Sequence, residues 1–185
     1  MATPQQTVTG STTWELDPKH TLVEFSAKHM MITTVKGRFA TLSGTIVTNM
    51  ADHSQASVEV TIDAASIDTH EPQRDAHLKS ADFLDAQNFP TITFKSTKVL
   101  AEDAIHLNVV GDLTIHGVTR QVELDTELTG EGTTPYGQTV AGFTANTTIS
   151  RKDFGLLWNV ALEAGGVLVS DQIKISIEGE ATKQQ

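Results

Sequence analysis

The sequence contains no cysteine in its 185 residues. Disulfides, thiolate metal sites, iron–sulfur clusters and cysteine nucleophiles are therefore excluded. Aromatic residues are scarce at 5%, and hydrophobic residues reach 38%, a little below the globular average. The apolar residues nonetheless fall in periodic runs, which argues for a packed domain over disorder. No run approaches the roughly 18 apolar residues of a transmembrane helix. Basic residues are outnumbered 13 to 23 by acidic ones, giving a formal net charge of -10. With no basic cluster or stripe, this balance disfavours nucleic-acid backbones as partners. The opening "MATPQQTVTGSTTWELD" has neither a basic n-region nor an apolar h-region, so it does not read as a secretory signal. Residues 1–12 are expected to form a flexible polar arm before a single domain over 13–182. The expected location is cytoplasmic, or periplasmic or secreted if the chain has been trimmed.

Motifs of catalysis are missing as well. No G-x-S-x-G nucleophile elbow, no G-x-G-x-x-G and no Walker A sequence occurs, so hydrolase and nucleotide-binding chemistry lack support. The seven histidines form no H-E-x-x-H or H-x-H spacing, and no metal or cofactor is expected. His116, in "IHGVT", reads as a turn residue. Asp82 and Asp85 sit where capping and solvation explain them better than paired acid–base work. "Arg151-Lys152-Asp153" reads most simply as a solvated turn with an internal ion pair.

What is present is alternation. "LVEFSAKH" sets Val23, Phe25, Ala27 and His29 on one face, and "ASVEVTID" sets Ala56, Val58, Val60 and Ile62. "TITFKST", "AIHLNVVGDLTI", "QVELDTEL", "VAGFTANTTI" and "QIKISIEGEA" repeat the pattern. Period two is the mark of antiparallel strands with one face dry and one wet. Short turns are expected at 101–103 and 116–118, a longer loop at 130–137, and bends at Gly37 and Gly44 within "VKGRFATLSGTIV". Eight or nine strands follow from Trp14 onward.

Three stretches break the rhythm: 29–32, 72–90 and 154–162. Short helices are expected over about 72–88, opened by Pro72 and continued by a turn capped at Ser80, and a further one near 155–162. Such a chain closes as a sandwich or a barrel, and long meandering strands favour the barrel. Many inward positions are small, among them Ala27, Ala56, Gly111, Ala141 and Ala145. Either large neighbours fill the space they leave, or a ligand does.

"HTLVEFSAKHM", "VKGRFATLSGTI", "RDAHLKSADFLDAQNFPTITFKST", "LTIHGVTRQVEL" and "ISRKDFGL", in this order, resemble the YceI-like family of bacterial lipid-binding proteins. The resemblance runs from Trp14 to about Ala181. It implies an all-β fold, an extended eight-stranded antiparallel lipocalin-like barrel. It also implies a long apolar pocket that takes an isoprenoid or acyl-chain amphiphile, polyprenyl quinone-type molecules included. Family members are often dimeric, so a homodimer is a candidate assembly.

On that basis the lining is expected to include Val23, Phe25, Ala27, Phe39, Val58, Val60, Ile92, Phe94, Phe143 and Trp158, each of which would otherwise be ordinary core. Phe83 and Phe89 are expected at the pocket entrance, facing inward. His29 is expected to be a core histidine, hydrogen-bonded to a neighbour or to a ligand head group. The function that follows is binding without an intrinsic reaction, for storage, transport or sequestration. The alternatives are an enzyme acting on a lipid held in the barrel, with His29, His106 or Asp153 as acid or base, and a barrel filled by its own side chains.

Overall fold

The computed structural model describes residues 10–185. Eleven strands and one helix follow in order: β1 (Ser11–Leu16), β2 (Leu22–His29), β3 (Thr33–Phe39), β4 (Leu42–Asn49), β5 (Ser57–Asp63), β6 (Ile67–Asp68), α1 (Pro72–Lys79), β7 (Thr91–Ala101), β8 (His106–Ile115), β9 (Val118–Thr133), β10 (Thr139–Ser150) and β11 (Gln172–Lys183). Ser11 and Thr12 already pair with Asn49 and Thr48, so the strand begins inside the expected arm. The rest of that arm, residues 1–9, lies outside the described residues.

The eleven strands make eight rows. One edge of β11 carries β1, from Trp14↔Lys183 to Leu16↔Ala181, and then β2, from Leu22↔Glu178 to Ser26↔Lys174. β1 and β2 are thus one long strand with a kink at 17–21. β4 lies on β1 and β3 on β2, while β5 lies on β4 and β6 on β3. These are two more long rows, kinked at 40–41 and 64–66. β7 to β10 complete the circuit back to β11, and every pairing is antiparallel. The result is the expected closed eight-stranded barrel, which leaves no open edge around most of its girth.

Polar side chains shape the kinks. The Asp17 carboxylate accepts the Lys19 N–H at 2.8 Å and holds His20 Nδ1 at 2.7 Å. Asp63 accepts the Ala65 N–H at 2.9 Å, and Ser66 Oγ accepts the Thr41 N–H at 3.1 Å. The bends expected at Gly37 and Gly44 fall instead at Ala40–Thr41. Gly37 serves close approach: a Cβ there would stand 2.4 Å from the Phe25 ring and 2.8 Å from the Thr69 methyl.

The loop expected at 130–137 is shorter, because β9 runs on to Thr133 and β10 starts at Thr139. His116 and Gly117 form the β8–β9 turn with φ of 53° and 71°, the two positive values a tight two-residue hairpin needs. Pro72 opens α1, and the Glu71 carboxylate caps it by accepting the Gln73 and Arg74 N–H groups at 3.2 and 2.5 Å. The helix stops at Ser80, whose Oγ donates to the His77 carbonyl at 2.7 Å. Beyond it come hydrogen-bonded turns, Phe83 and Asp85 N–H to the Ser80 carbonyl at 3.0 and 2.9 Å, where a second helical turn was expected. No helix forms at 155–162: a 3-10 turn ends at Phe154, and the chain then runs irregularly to the Ala161–Val167 bridge. Among the described residues, no helix is long and apolar enough to cross a membrane.

The barrel thus has two unlike ends. The helix end carries α1, the β2–β3 turn, the β8–β9 turn and the 151–171 segment. The terminal end carries the start of β1, the end of β11 and the hairpins β4–β5, β7–β8 and β9–β10.

Candidate functional site

Strand parity places the apolar residues inside, yet along β5 the inward Val58, Val60 and Ile62 are only half-buried, and along β11 so are Ile173, Ile175 and Ile177. A core filled by its own side chains would bury them fully. They are exposed to a cavity of about 650 Å³ that runs the length of the barrel, within the range of about 300–1,000 Å³ usual for ligand sites. This volume rules against the alternative of a barrel filled by its own side chains. The small inward residues explain it: Ala27, Ala56, Ala141 and Ala145 line the space without filling it.

Most of the expected lining residues are at the lumen. Val23, Phe25, Ala27, Phe39, Val58, Val60, Ile92, Phe94, Phe143 and Trp158 all border the cavity. So does Phe83, which is 7% exposed. Phe89 does not: its ring lies 4.8 Å from that of His116 and covers Gly117, where a Cβ would come within 2.6 Å of it. Phe89 therefore anchors the crossover onto the β8–β9 turn, outside the lumen. His29 also departs from expectation. It borders the cavity but is exposed at the rim of the helix end, its backbone bridged to Val169.

The terminal end of the cavity is bordered by Trp14, Thr48, Met50, His53, Ile105 and Glu131. Trp14 Nε1 donates to Thr48 Oγ1 at 3.0 Å, so that its ring stays at the wall. The helix end is bordered by an aromatic cluster. The His77 ring meets those of Phe83 and Trp158 edge-on at 5.0 and 4.6 Å, and Phe83 and Trp158 are 5.3 Å apart. His77 Nε2 is held by Asp82 at 2.8 Å, which uses Asp82 and explains its place beside Phe83.

Two arginines border this same end. Arg151 is only 3% exposed. Its Nε donates to the Ser170 carbonyl at 3.0 Å, and its Nη1 donates to the carbonyls of Leu156 and Trp158 at 2.7 and 2.8 Å. Burial pulls its pKa down, and Asp171, 3.6 Å away, opposes that. The "Arg-Lys-Asp" turn is thus not a solvated turn with an internal pair. Arg151 is the buried peg on which 151–171 is wound, and Asp171 is the carboxylate that both Arg151 and Lys152 meet. The signal is a lone arginine at the end of an apolar strand, beside a stretch that lacks any ladder.

Arg74 is half-buried. Its Nε donates to Thr69 Oγ1 at 2.8 Å and its Nη2 to the Thr69 carbonyl at 2.9 Å. Thr69 in turn gives its hydroxyl and its backbone N–H to Asp75 Oδ1 at 2.6 and 2.8 Å. Among the described residues, Arg74 forms no ion pair and its Nη1 meets no acceptor.

Of the enzyme alternative's candidate acid or base groups, His29 borders the cavity and His106 and Asp153 do not. His106 is on the outward face at the terminal end, bonded to Asp103 at 2.7 Å. His29 and Asp153 are exposed at the helix end. Among the described residues one group of histidine and carboxylates has ligand atoms mutually within 4.8 Å, Asp17, His20 and Glu180; it lies at the β1–β2 kink, and none of the three borders the lumen, although the neighbouring Thr21 does.

The comparisons agree with this architecture. The YceI-like domain model matches residues 14–181. A UPF0312 protein of Pectobacterium atrosepticum is 36% identical over 170 residues, covering 92% of this chain and 86% of that one. The crystal structure of a Campylobacter jejuni YceI protein superposes with a TM-score of 0.71 at 33% identity, covering 85% of this chain and 90% of that one. A polyisoprenoid-binding domain from Saccharophagus degradans has the same fold, with a TM-score of 0.66 at 14% identity over 92% of this chain and 98% of that one. Ring closure, register and family model converge, and the chain belongs to the YceI-like domain family.

Proposed function

We propose that this protein binds one long-chain amphiphile, with an isoprenoid or acyl tail, in the barrel lumen, and that it stores, carries or sequesters that molecule without converting it. The observation that carries the reading is the apolar cavity of about 650 Å³ running between the two ends. The similarity in fold to a polyisoprenoid-binding domain supports the choice of tail. Burying a tail contributes about 0.8 kcal/mol per CH2 at best. A ligand of roughly 30 heavy atoms at about 0.3 kcal/mol each reaches about −9 kcal/mol, near submicromolar affinity. Shape and apolar area are sufficient for that, and no catalytic constellation is needed.

The test is native mass spectrometry of freshly purified protein, then organic extraction and identification of what co-purified, with reloading of the stripped protein. Ala27→Trp and Ala141→Trp place a large ring in the lumen at two half-buried inward positions. Both variants are expected to fold and to lose uptake. A stripped wild-type protein that takes up neither prenyl nor acyl chains would overturn the reading.

A further inference from the structure

The lumen is not symmetric in charge. Toward the helix end its ionisable lining is Lys28, His29, Arg74, His77 and Arg151, with Glu24 on β2 as the single carboxylate. At the terminal end it is His53 and Glu131. Lys28, Arg74 and Arg151 thus set three cationic side chains at one mouth of a chain whose formal net charge is -10.

The two arginines differ in what they still have to give. Arg151 is committed to the carbonyls of Leu156, Trp158 and Ser170 and faces Asp171. Arg74 is fixed by two bonds to Thr69 and keeps a free Nη1 edge with no paired carboxylate. The fixing is deliberate in its geometry. Thr69 is 4% exposed and held by Asp75, so the guanidinium is oriented before any ligand arrives. A pre-oriented, unpaired guanidinium at the edge of an apolar cavity suits a group that brings its own negative charge, because charge-assisted bonds to carboxylate or phosphate are the strong ones. Beside it, His77 is a ring already packed against Trp158.

We propose that Arg74 seats an anionic head group, a carboxylate or a phosphate ester, at the helix end of the lumen, with the tail directed toward Trp14. This rests on the lumen being the lipid site. It adds the polarity of the ligand and the class of its head. A lumen tethered by Arg74 prefers an acid to its neutral ester and holds the chain in one direction.

The experiment uses the full chain and probes that share one tail: palmitate, hexadecyl phosphate and methyl palmitate. The wild-type protein is expected to bind one or both anions at least about tenfold more tightly than the ester, equivalent to about 1.4 kcal/mol. The ranking of the two anions names the head. Arg74→Leu is expected to bring all three within about twofold of the ester's wild-type affinity, and Arg74→Lys to keep part of the preference. Direction is read with stearate spin-labelled at carbon 5 or carbon 16, using Trp14→Phe and Trp158→Phe so that one tryptophan reports at a time. The carbon-5 label is expected to quench Trp158 more strongly, and the carbon-16 label Trp14. An ester bound as tightly as both acids, quenching in the reverse order, or an Arg74→Leu protein that weakens acid and ester equally would overturn the proposal. The last outcome would leave Arg74 as a fastener of the β6–α1 connection. If none of the probes binds to wild type, the acyl-tail form of the lipid-site reading fails, which is a separate result.

Discussion

The wall of the barrel and the cap at its helix end satisfy their backbone polar groups by different means. In the wall, backbone ladders satisfy the polar groups, and side chains have only to alternate. In the cap, residues 151–171 have almost no ladder, and side chains take its place. Arg151 satisfies the carbonyls of Leu156, Trp158 and Ser170, and Asn159 pairs with the Val169 backbone, donating to its carbonyl at 2.8 Å and accepting its N–H at 3.1 Å. The wall can therefore leave part of its interior empty, because its ladders satisfy the backbone whether or not every inward side chain is packed on all sides. The cap cannot.

A matched pair of deletions gives the largest effect and sets this contrast against itself. Phe154, 1% exposed at the base of the cap, is packed on all sides. Phe154→Ala is expected to cost about 3–5 kcal/mol. Phe143 is the same residue in the wall, half-buried against the lumen and lying over Gly179. Its removal enlarges a void that already exists, and about 2 kcal/mol or less is expected. Urea denaturation of both variants measures the difference. Equal losses would mean that the lumen is not empty in solution.

Arg151→Met keeps the bulk of the side chain and removes the donors. Carbonyls of Leu156, Trp158 and Ser170 then lose their partner in a buried setting, and about 2–4 kcal/mol of stability should go with them. Limited proteolysis should find new cuts within 156–169 while the strands stay resistant. A variant as stable as wild type, uncut there, would show that the cap does not hang on this one residue.

Gly111→Ala probes the wall where it is tight. A Cβ at Gly111 would stand 2.5 Å from the Phe94 ring and 2.6 Å from the Lys95 carbonyl. The ring can swing into the lumen, but the backbone beside the Ser96–Lys98 irregularity cannot move so freely. A loss of about 1–3 kcal/mol is expected, read as a shift in the denaturation midpoint. Little or no loss would show the wall to be softer than its ladder suggests.

The same division explains what the sequence made legible. Period two is a property of the wall, so Val58, Val60, Phe94 and Phe143 could be assigned to the inner face from spacing alone. The kinks at 17–21, 40–41 and 64–66 could not be told from chain reversals because the inward parity changes across each, from Leu16 to Val23, from Phe39 to Leu42 and from Ile62 to Ile67, and Asp17 and Asp63 look like any loop acids. In the cap there is no period to read. Phe83 and Phe89 stand six residues apart in one irregular segment, yet one enters the lumen and the other covers Gly117. Which does which depends on where α1 stops, and that is decided by Ser80 and by contacts across the fold. Arg151 was misread for the same reason: its partners are carbonyls some five to nineteen positions away, with no side-chain motif to betray them.

The smallest expected effect concerns the wall's own polar device, at the opposite end from the cap. Asp103 accepts the Ile105 and His106 N–H groups at 2.9 and 2.8 Å and bonds to His106 Nδ1 at 2.7 Å. Those bonds, the backbone pair first, lower its pKa to about 2, and the Asp103 bond raises that of His106. A depressed carboxylate contributes stability that is present above its unfolded pKa of about 3.9 and is lost as pH falls through about 2. A raised histidine contributes stability that is complete below about 6.5 and is lost as pH rises through its folded value. The pair is therefore at full strength between those two unfolded values, roughly pH 4 to 6.5. Both side chains are exposed to solvent, so the effect on folding is slight, and the direct reading is an NMR titration of the His106 ring. Asp103→Asn should move that titration down toward the ordinary histidine value while the denaturation midpoint hardly changes. A large loss of stability instead would mean that this hairpin, like the cap, is pinned by one side chain, and the contrast between the two regions would fail.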